Sequence, residues 1–139
     1  MVMLDDVPDW AVALLDTQPV GHLGLLDEHH RPRVQPVTFV RIENAIYTAI
    51  DEKPKRRPGA SLARVSRLKA NPACALTVDR YDDDWTKLAW IQVVANATVE
   101  ALQPHVLEAL KARYSAYIDR PPRGPAIRLD PVHVVWWSG

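Results

Sequence analysis

The chain has 139 residues, of which 47% are hydrophobic and 24% charged, and its 17 basic and 17 acidic residues cancel. This size and composition indicate a single folded domain over residues 1–139 and exclude disordered and fibrous classes. Zero net charge argues against nucleic acid as a partner. One cysteine, no signal-peptide pattern and no apolar stretch approaching a membrane span lead us to expect a cytoplasmic protein that does not bind membranes.

Hydrophobic patterning predicts six or seven strands with three helices inserted between them. In chain order we predict a helix at 5–17, strands at 20–26, 33–42 and 45–50, a helix at 60–70, strands at 73–80 and 90–100, a helix at 104–119, and a closing strand pair at 126–129 and 132–137. Tight turns join adjacent strands, and strands do not alternate regularly with helices. The fold class is therefore mainly β, an antiparallel sheet or small barrel with helices at its ends.

Individual residues refine these boundaries. Asp6 or Asp9 can cap the first helix, and Trp10 on that helix is expected in the core. Pro36 predicts an edge or bulge position, because proline cannot donate a hydrogen bond to a strand ladder. Asp130 and Pro131 predict the turn between the last two strands.

The most informative segment is basic. Seven basic residues lie between Lys53 and Lys69, and the next acidic residue after Lys53 is Asp79. A neutral protein with this much local positive charge is expected to bind an anion there. The segment also opens onto a helix N-terminus, which favours a phosphate-bearing small molecule, with Lys53 and Lys55 as point charges. The alternative is a solvated polar loop.

Other reactive groups carry weaker signals. The acids at 82–84 lack the spacing of a calcium loop, so a solvated turn is expected, and no metal site is predicted. Cys74 is expected to be a small core residue. His22 and His133 lie on strands and could donate protons, but structural roles are the simpler interpretation. No constellation identifies a catalytic residue.

Three local matches resemble the pyridoxamine 5′-phosphate oxidase-like split β-barrel superfamily. They are Pro36-Val37-Thr38-Phe39, then Tyr47-Thr48 followed by Lys53-Pro54-Lys55, and Leu62-Ala63-Arg64 through Asn71-Pro72 before a strand. The segment 79–90 is similar to a branch of probable oxidoreductases that depend on the deazaflavin coenzyme F420. The resemblance covers residues 7–137 and implies an antiparallel split β-barrel.

The resemblance also implies a homodimer that binds FMN or the deazaflavin in a groove between subunits. It implies that the backbone of four residues runs along the ring: Gln35, Pro36, Val37 and Thr38. It assigns the phosphate to Thr48, Lys53 and Lys55. It suggests that the ring is covered by residues of the partner subunit, namely Trp85, Trp90 or Gln92.

The leading function implied is hydride transfer between coenzyme F420 and a small organic substrate. A close alternative uses FMN, as pyridoxamine 5′-phosphate oxidase-like proteins do. A third possibility, from a different class, is a non-catalytic module that binds flavin or haem. Hydride transfer by a flavin needs little side-chain chemistry, so the lack of a catalytic constellation is consistent with the first two functions.

Overall fold

The computed structural model describes residues 2–50 and 60–139. A short 3₁₀ helix, Leu4–Asp6, precedes the main elements, and another, Trp85–Lys87, lies between the fifth and sixth strands. The main elements are α1 Asp9–Thr17, β1 Gly21–Leu26, β2 Pro32–Val37, β3 Val40–Ile42, β4 Ala45–Ala49, α2 Ala60–Ala70, β5 Ala73–Arg80, β6 Ala89–Glu100, α3 Pro104–Arg113, α4 Ala116–Asp119 and β7 Ala126–Ser138.

The seven strands form one antiparallel sheet in the order β2-β1-β5-β6-β7-β4-β3. Strands β2 and β3 are consecutive in the chain but lie at opposite edges of this order. Only Thr38 and Phe39 join them, and the three Cα–Cα steps from Val37 to Val40 span no more than about 11 Å. The two edges of the sheet must therefore meet, so the sheet is curled into a half-barrel, and the predicted antiparallel, mainly β fold class is confirmed.

The core fills the inside of the curled sheet. Along β6, every second residue faces inward and is buried: Ile91, Val93, Ala95 and Ala97. Helix α1 adds Ala11, Leu14 and Leu15, and helix α2 adds Val65 and Leu68. A second cluster joins α3 and α4 to the other edge of the sheet through Val40, Ala49, Val106, Leu110 and Tyr117.

Two predicted elements are interrupted. The strand predicted over 33–42 breaks at Thr38 and Phe39, where the chain crosses from one sheet edge to the other. The helix predicted over 104–119 ends at Arg113, and Tyr114 takes an extended backbone conformation (φ −121°, ψ 105°). The Tyr114 hydroxyl hydrogen-bonds the backbone of Phe39, so a tertiary contact outweighs the continuing helical pattern.

The predicted turn at Asp130 and Pro131 is wrong, because β7 is one strand from Ala126 to Ser138. A bulge replaces the turn: Ala95 pairs with Pro131 and Val94 with His133, so Val132 is the additional residue. Proline is tolerated there because the bulge interrupts the hydrogen-bond ladder. Pro36 lies on the edge strand β2, as predicted.

The start of the first helix also differs from the prediction. Helix α1 begins at Asp9, its N-cap is Pro8, and no side chain caps it, while Asp6 belongs to the preceding 3₁₀ helix. Trp10 is 40% exposed and so does not lie in the core. The chain starts its α-helix after Pro8 because a proline restricts the residue before it to extended conformations.

Candidate functional site

The edge strand β2 carries the residues predicted to lie along a ring. Gln35, Pro36 and Val37 belong to β2, and Thr38 follows it directly. In the described ranges 2–50 and 60–139, β2 pairs only with β1, so its outer edge has backbone N–H and C=O groups without a strand partner. Such an edge can hydrogen-bond a planar heterocycle whose own edge alternates donors and acceptors.

Helix α2 contacts this strand through Arg64. Its Nε and Nη2 atoms donate to the side-chain oxygen of Gln35 at 3.2 and 2.9 Å. A second arginine of α2, Arg67, forms an ion pair with Glu28 in the β1–β2 turn at 3.1 Å, and this pairing lowers the pKa of Glu28. The basic face of α2 is therefore fixed against β2 and its turn, and Arg64 brings positive charge to the predicted ring strand.

Thr48, predicted to hold the phosphate, lies on β4. Its side chain is buried, and it pairs with Ile127 of β7. Two residues later, the backbone N–H of Ile50 donates to the carbonyl of Pro125 at 3.1 Å. Lys53 and Lys55 lie outside the described residues. The described residues that flank them are Ile50, which follows β4, and helix α2, whose Arg64 contacts Gln35.

The crossover between β2 and β3 is held by helices α3 and α4. Arg113 donates through Nη1 to the Phe39 carbonyl at 2.7 Å and through Nη2 to the Gln18 carbonyl. The Tyr114 hydroxyl accepts from the Phe39 N–H at 3.1 Å and lies 2.9 Å from the Phe39 carbonyl. The Tyr117 hydroxyl shares a 2.6 Å hydrogen bond with Thr38 Oγ1. Both backbone groups of Phe39 are thus satisfied by side chains.

Four residues that contact the candidate site were not predicted as site residues: Arg64, Arg113, Tyr114 and Tyr117. Both tyrosines fall within the helix predicted over 104–119. Their hydroxyl groups could have indicated a further role, since a buried tyrosine hydroxyl usually needs a hydrogen-bond partner. The partner itself could not be predicted, because it lies 75 or more positions away along the chain.

The other three predicted ring residues lie elsewhere in the chain. Gln92 and Trp90 lie on the outer face of β6; Gln92 donates to Thr77 Oγ1 at 3.1 Å. Trp85 is 71% exposed in the 3₁₀ helix before β6. Gln92 and Pro36 share one cross-strand row, in which two residues separate them, so they are about 14 Å apart at the usual strand spacing. One chain therefore does not bring these two groups together.

The outer face of the curled sheet is partly apolar. Its exposed or half-exposed side chains include Val34 on β2, Trp90 on β6, and Val135 and Trp137 on β7. A shallow groove of about 300 Å³ crosses it, lined by His22, Gly24, Val34, Ala75, Thr77, Asp79 and Gln92. Trp136 pairs with Ile91 and Trp137 with Trp90, so the adjacent tryptophans face opposite sides of the sheet.

The remaining reactive groups are accounted for locally. Asp84 accepts from the Thr86 N–H and hydroxyl, and Asp82 accepts from the Asp84 N–H, so this acidic loop is built from short-range hydrogen bonds. Cys74 is buried as predicted, and burial raises the pKa of its thiol to about 12. Across residues 2–50 and 60–139, no group of three His, Cys, Asp or Glu side chains could hold a metal ion. None of the helices in those ranges is long and apolar enough to cross a membrane.

Comparison with known proteins identifies the family. The family model described as pyridoxamine 5′-phosphate oxidase matches residues 7–138. The chain therefore belongs to the pyridoxamine 5′-phosphate oxidase family, and its curled sheet is the split β-barrel of that superfamily. No curated protein sequence matches the chain.

Solved structures share this fold at low sequence identity. A candidate pyridoxamine 5′-phosphate oxidase from Listeria innocua is 18% identical, with a TM-score of 0.67 over 94% of this chain and 98% of that one. A structure described as an F420 reductase is 20% identical, with a TM-score of 0.67 over 93% and 98%. HutZ, the haem storage protein of Vibrio cholerae, is 16% identical, with a TM-score of 0.68 over 91% and 90%. At these identities the likeness establishes the fold.

Proposed function

We propose that the protein is a cytoplasmic oxidoreductase that binds the deazaflavin coenzyme F420 along β2 and transfers a hydride between it and a small organic substrate. The observation that carries this proposal is the edge strand Gln35–Thr38, whose outer backbone groups have no strand partner in the described chain. Family membership supports an oxidoreductase or flavin-binding role. The choice of the deazaflavin rests on the sequence similarity at residues 79–90.

The described residues fit a flavin-type group. Backbone donors and acceptors of β2 suit the amide-like edge of the ring, and Arg64 supplies positive charge beside Gln35. The buried Thr48 side chain lies on β4, five positions before Lys53 in the chain. The cofactor supplies the hydride chemistry when bound. The protein's part is to bind the ring and phosphate, orient the ring and keep water from its reactive face.

A homodimer would complete this site. The outer sheet face exposes Val135 and Trp137 beside the half-buried Trp90, an apolar surface of the kind that marks an interface, and Val34 lies on the same face at the β2 edge. We propose that this face packs against a second copy of the chain. Trp85, Trp90 or Gln92 of one copy would then cover the ring bound along β2 of the other, which accounts for their separation within one chain.

FMN is the closest alternative cofactor. FMN and the deazaflavin share a ring system and a phosphate, so the contacts available from β2, Arg64 and Thr48 suit both. A non-catalytic haem-binding or flavin-binding module is the alternative from another class. Turnover with a reductant separates a module of that kind from an enzyme.

The test is a titration of the purified protein with coenzyme F420, FMN and haemin, followed by quenching of tryptophan fluorescence and by absorbance of the bound ligand. We expect saturable binding of the deazaflavin that is tighter than binding of FMN. Tighter binding of FMN would move the protein to the oxidase-like alternative. Binding of haemin alone would support the haem module, and binding of none of the three would contradict the proposed function.

A further inference from the structure

Thr38 is the residue at which the edge strand turns into the crossover. On its C-terminal side, Phe39 is fully buried and its backbone N–H and C=O are held by Tyr114 and Arg113. The Arg113 guanidinium also lies 4.4 Å from the centroid of the Phe39 ring, and Phe39 packs beside Gly21, where an added Cβ would approach its ring to 3.1 Å. Phe39 is therefore an anchored point of the backbone.

The side chain of Thr38 has a separate attachment. Its Oγ1 lies 2.6 Å from the hydroxyl of Tyr117, a buried residue of α4 that also meets Tyr114 edge-on at 5.7 Å between ring centroids. A β-branched residue has few χ1 rotamers, so a bond to its hydroxyl also fixes the direction of its backbone. The Thr38 side chain itself is only partly buried.

We propose that Tyr117 is a positioning residue for the cofactor ring: it fixes the Thr38 hydroxyl and, through it, the backbone at the end of β2. This inference rests on the proposed function, because it assigns Tyr117 a role in the flavin-type site along Gln35–Thr38. Helix α4 contributes no other residue to that site. The hydrogen bond would therefore couple a distant part of the chain to the geometry of the ring.

The variants separate this role from simple stabilisation. Tyr117→Phe removes the hydroxyl and keeps the ring packing, Thr38→Val removes the other hydroxyl and keeps the branched shape, and Thr38→Ser keeps a hydroxyl. Tyr81→Phe is the matched control, since Tyr81 is exposed in the loop after β5. Each variant is titrated with FMN and with coenzyme F420, its bound-ligand absorbance maximum is recorded, and its thermal unfolding is followed without ligand.

We expect Tyr117→Phe and Thr38→Val each to weaken binding of the preferred cofactor by about three- to tenfold, the size of one lost hydrogen bond. The double variant should lose no more than either single one, because both remove the same bond. The absorbance maximum of the bound cofactor should move in both single variants. Thr38→Ser keeps the hydroxyl but not the branch and should lose less affinity than Thr38→Val, and Tyr81→Phe should bind like the natural protein.

Several outcomes would overturn the proposal. If the natural protein binds a flavin and both hydroxyl variants bind it with unchanged affinity and absorbance, the inference is wrong and the proposed function stands. Losses that add in the double variant would show that the two hydroxyls act separately, which also contradicts it. If the natural protein binds no flavin, the proposed function fails together with the inference. Should Tyr117→Phe not fold, Thr38→Val against Thr38→Ser gives the same comparison.

Discussion

Arg64 binds the side-chain oxygen of Gln35 through two nitrogen atoms, at 3.2 and 2.9 Å, although the two residues are 29 positions apart. This contact joins the basic helix α2 to the edge strand β2. It also orients the Gln35 amide, because the oxygen faces the guanidinium. The strand proposed to bind the ring and the helix that follows Lys53 and Lys55 therefore act as one unit.

Replacing Gln35 with glutamate should separate stability from binding. The carboxylate would pair with Arg64 at least as well as the amide does, so we expect the thermal midpoint to be unchanged or higher. The added negative charge would offset Arg64, so binding of an anionic flavin should weaken by several-fold, up to about tenfold. Thermal unfolding and cofactor titration at low and moderate salt measure both effects.

Gln35→Leu is the matched comparison, because it removes the hydrogen bonds without adding charge. It should lower stability more than Gln35→Glu does and weaken binding less. Equal cofactor affinity of the natural protein and Gln35→Glu would show that the positive charge of Arg64 does not serve the site.

The basic segment gives the second prediction. Changing Lys53 and Lys55 together to alanine should weaken cofactor binding by at least about tenfold, since each would contribute a charged contact to the phosphate. The control changes Lys69 and Lys87 together to alanine, which removes the same charge from exposed positions. Both variants should keep the circular dichroism spectrum of the natural protein.

The salt dependence of binding completes that test. Binding by the natural protein and by the Lys69/Lys87 variant should weaken as salt increases, and binding by the Lys53/Lys55 variant should respond less. If the Lys53/Lys55 variant binds the cofactor with normal affinity, the phosphate assignment is wrong.

Local patterns predicted the strands well where one face of the sheet is buried. The alternation along β6 located that strand to within one residue of its start, and the strand over 73–80 matches β5 at both ends. The predictions failed where distant contacts decide the conformation. The helix ends at Arg113 because Arg113 and Tyr114 bind the backbone of Phe39, and no local pattern records a partner 74 positions away.

The candidate site was predictable to a similar degree. The match at Pro36-Val37-Thr38-Phe39 located the strand, which the structure places at the sheet edge. The sequence also placed Arg64 in the helix predicted over 60–70. It did not predict the contact of Arg64 with Gln35, because the fold of the sheet decides which strand that helix meets. The resemblance implied that Trp85, Trp90 or Gln92 covers the ring from a second subunit, and the sequence pattern of one chain does not specify where a second copy would pack.

The third prediction concerns the outer sheet face. The natural protein should sediment at twice the chain mass of 15.7 kDa. Val135→Glu places a charge beside Gln92 and Trp137 on that face and should shift the protein toward monomer, because burying an unpaired carboxylate is costly. Analytical ultracentrifugation measures the change, and the same samples are then titrated with cofactor.

The control for this variant is Trp10→Glu, which changes an exposed aromatic residue on α1, away from the sheet face. It should remain dimeric. If Val135→Glu is monomeric and still binds cofactor normally, the ring is not covered by the partner subunit. A natural protein that sediments as a monomer at all concentrations would contradict the proposed interface itself.

The fourth prediction is that the Cys74 thiol reacts very slowly with thiol reagents in the folded protein. Burial raises the pKa of its thiol from 9.0 to about 12, and its sulfur lies 3.6 Å from the Ala95 carbonyl. Because the thiolate is the reactive form, a difference of about three pH units should slow labelling of the native protein by Ellman's reagent at pH 8 by roughly a thousandfold. The same protein in guanidinium chloride should react fully and supplies the reference rate.

The same shift predicts a dependence of stability on pH. Below pH 9 the thiol is protonated in both states, so its contribution to stability is constant. As the pH rises from 9 toward 12, the unfolded chain loses the proton while the folded chain keeps it, so the free energy of unfolding should fall. Tyrosines and lysines also titrate in this range, and Cys74→Ala isolates the thiol: its stability should decline less steeply between pH 9 and pH 11. Rapid labelling of the native thiol, or parallel declines in the two proteins, would show that Cys74 is reached by solvent.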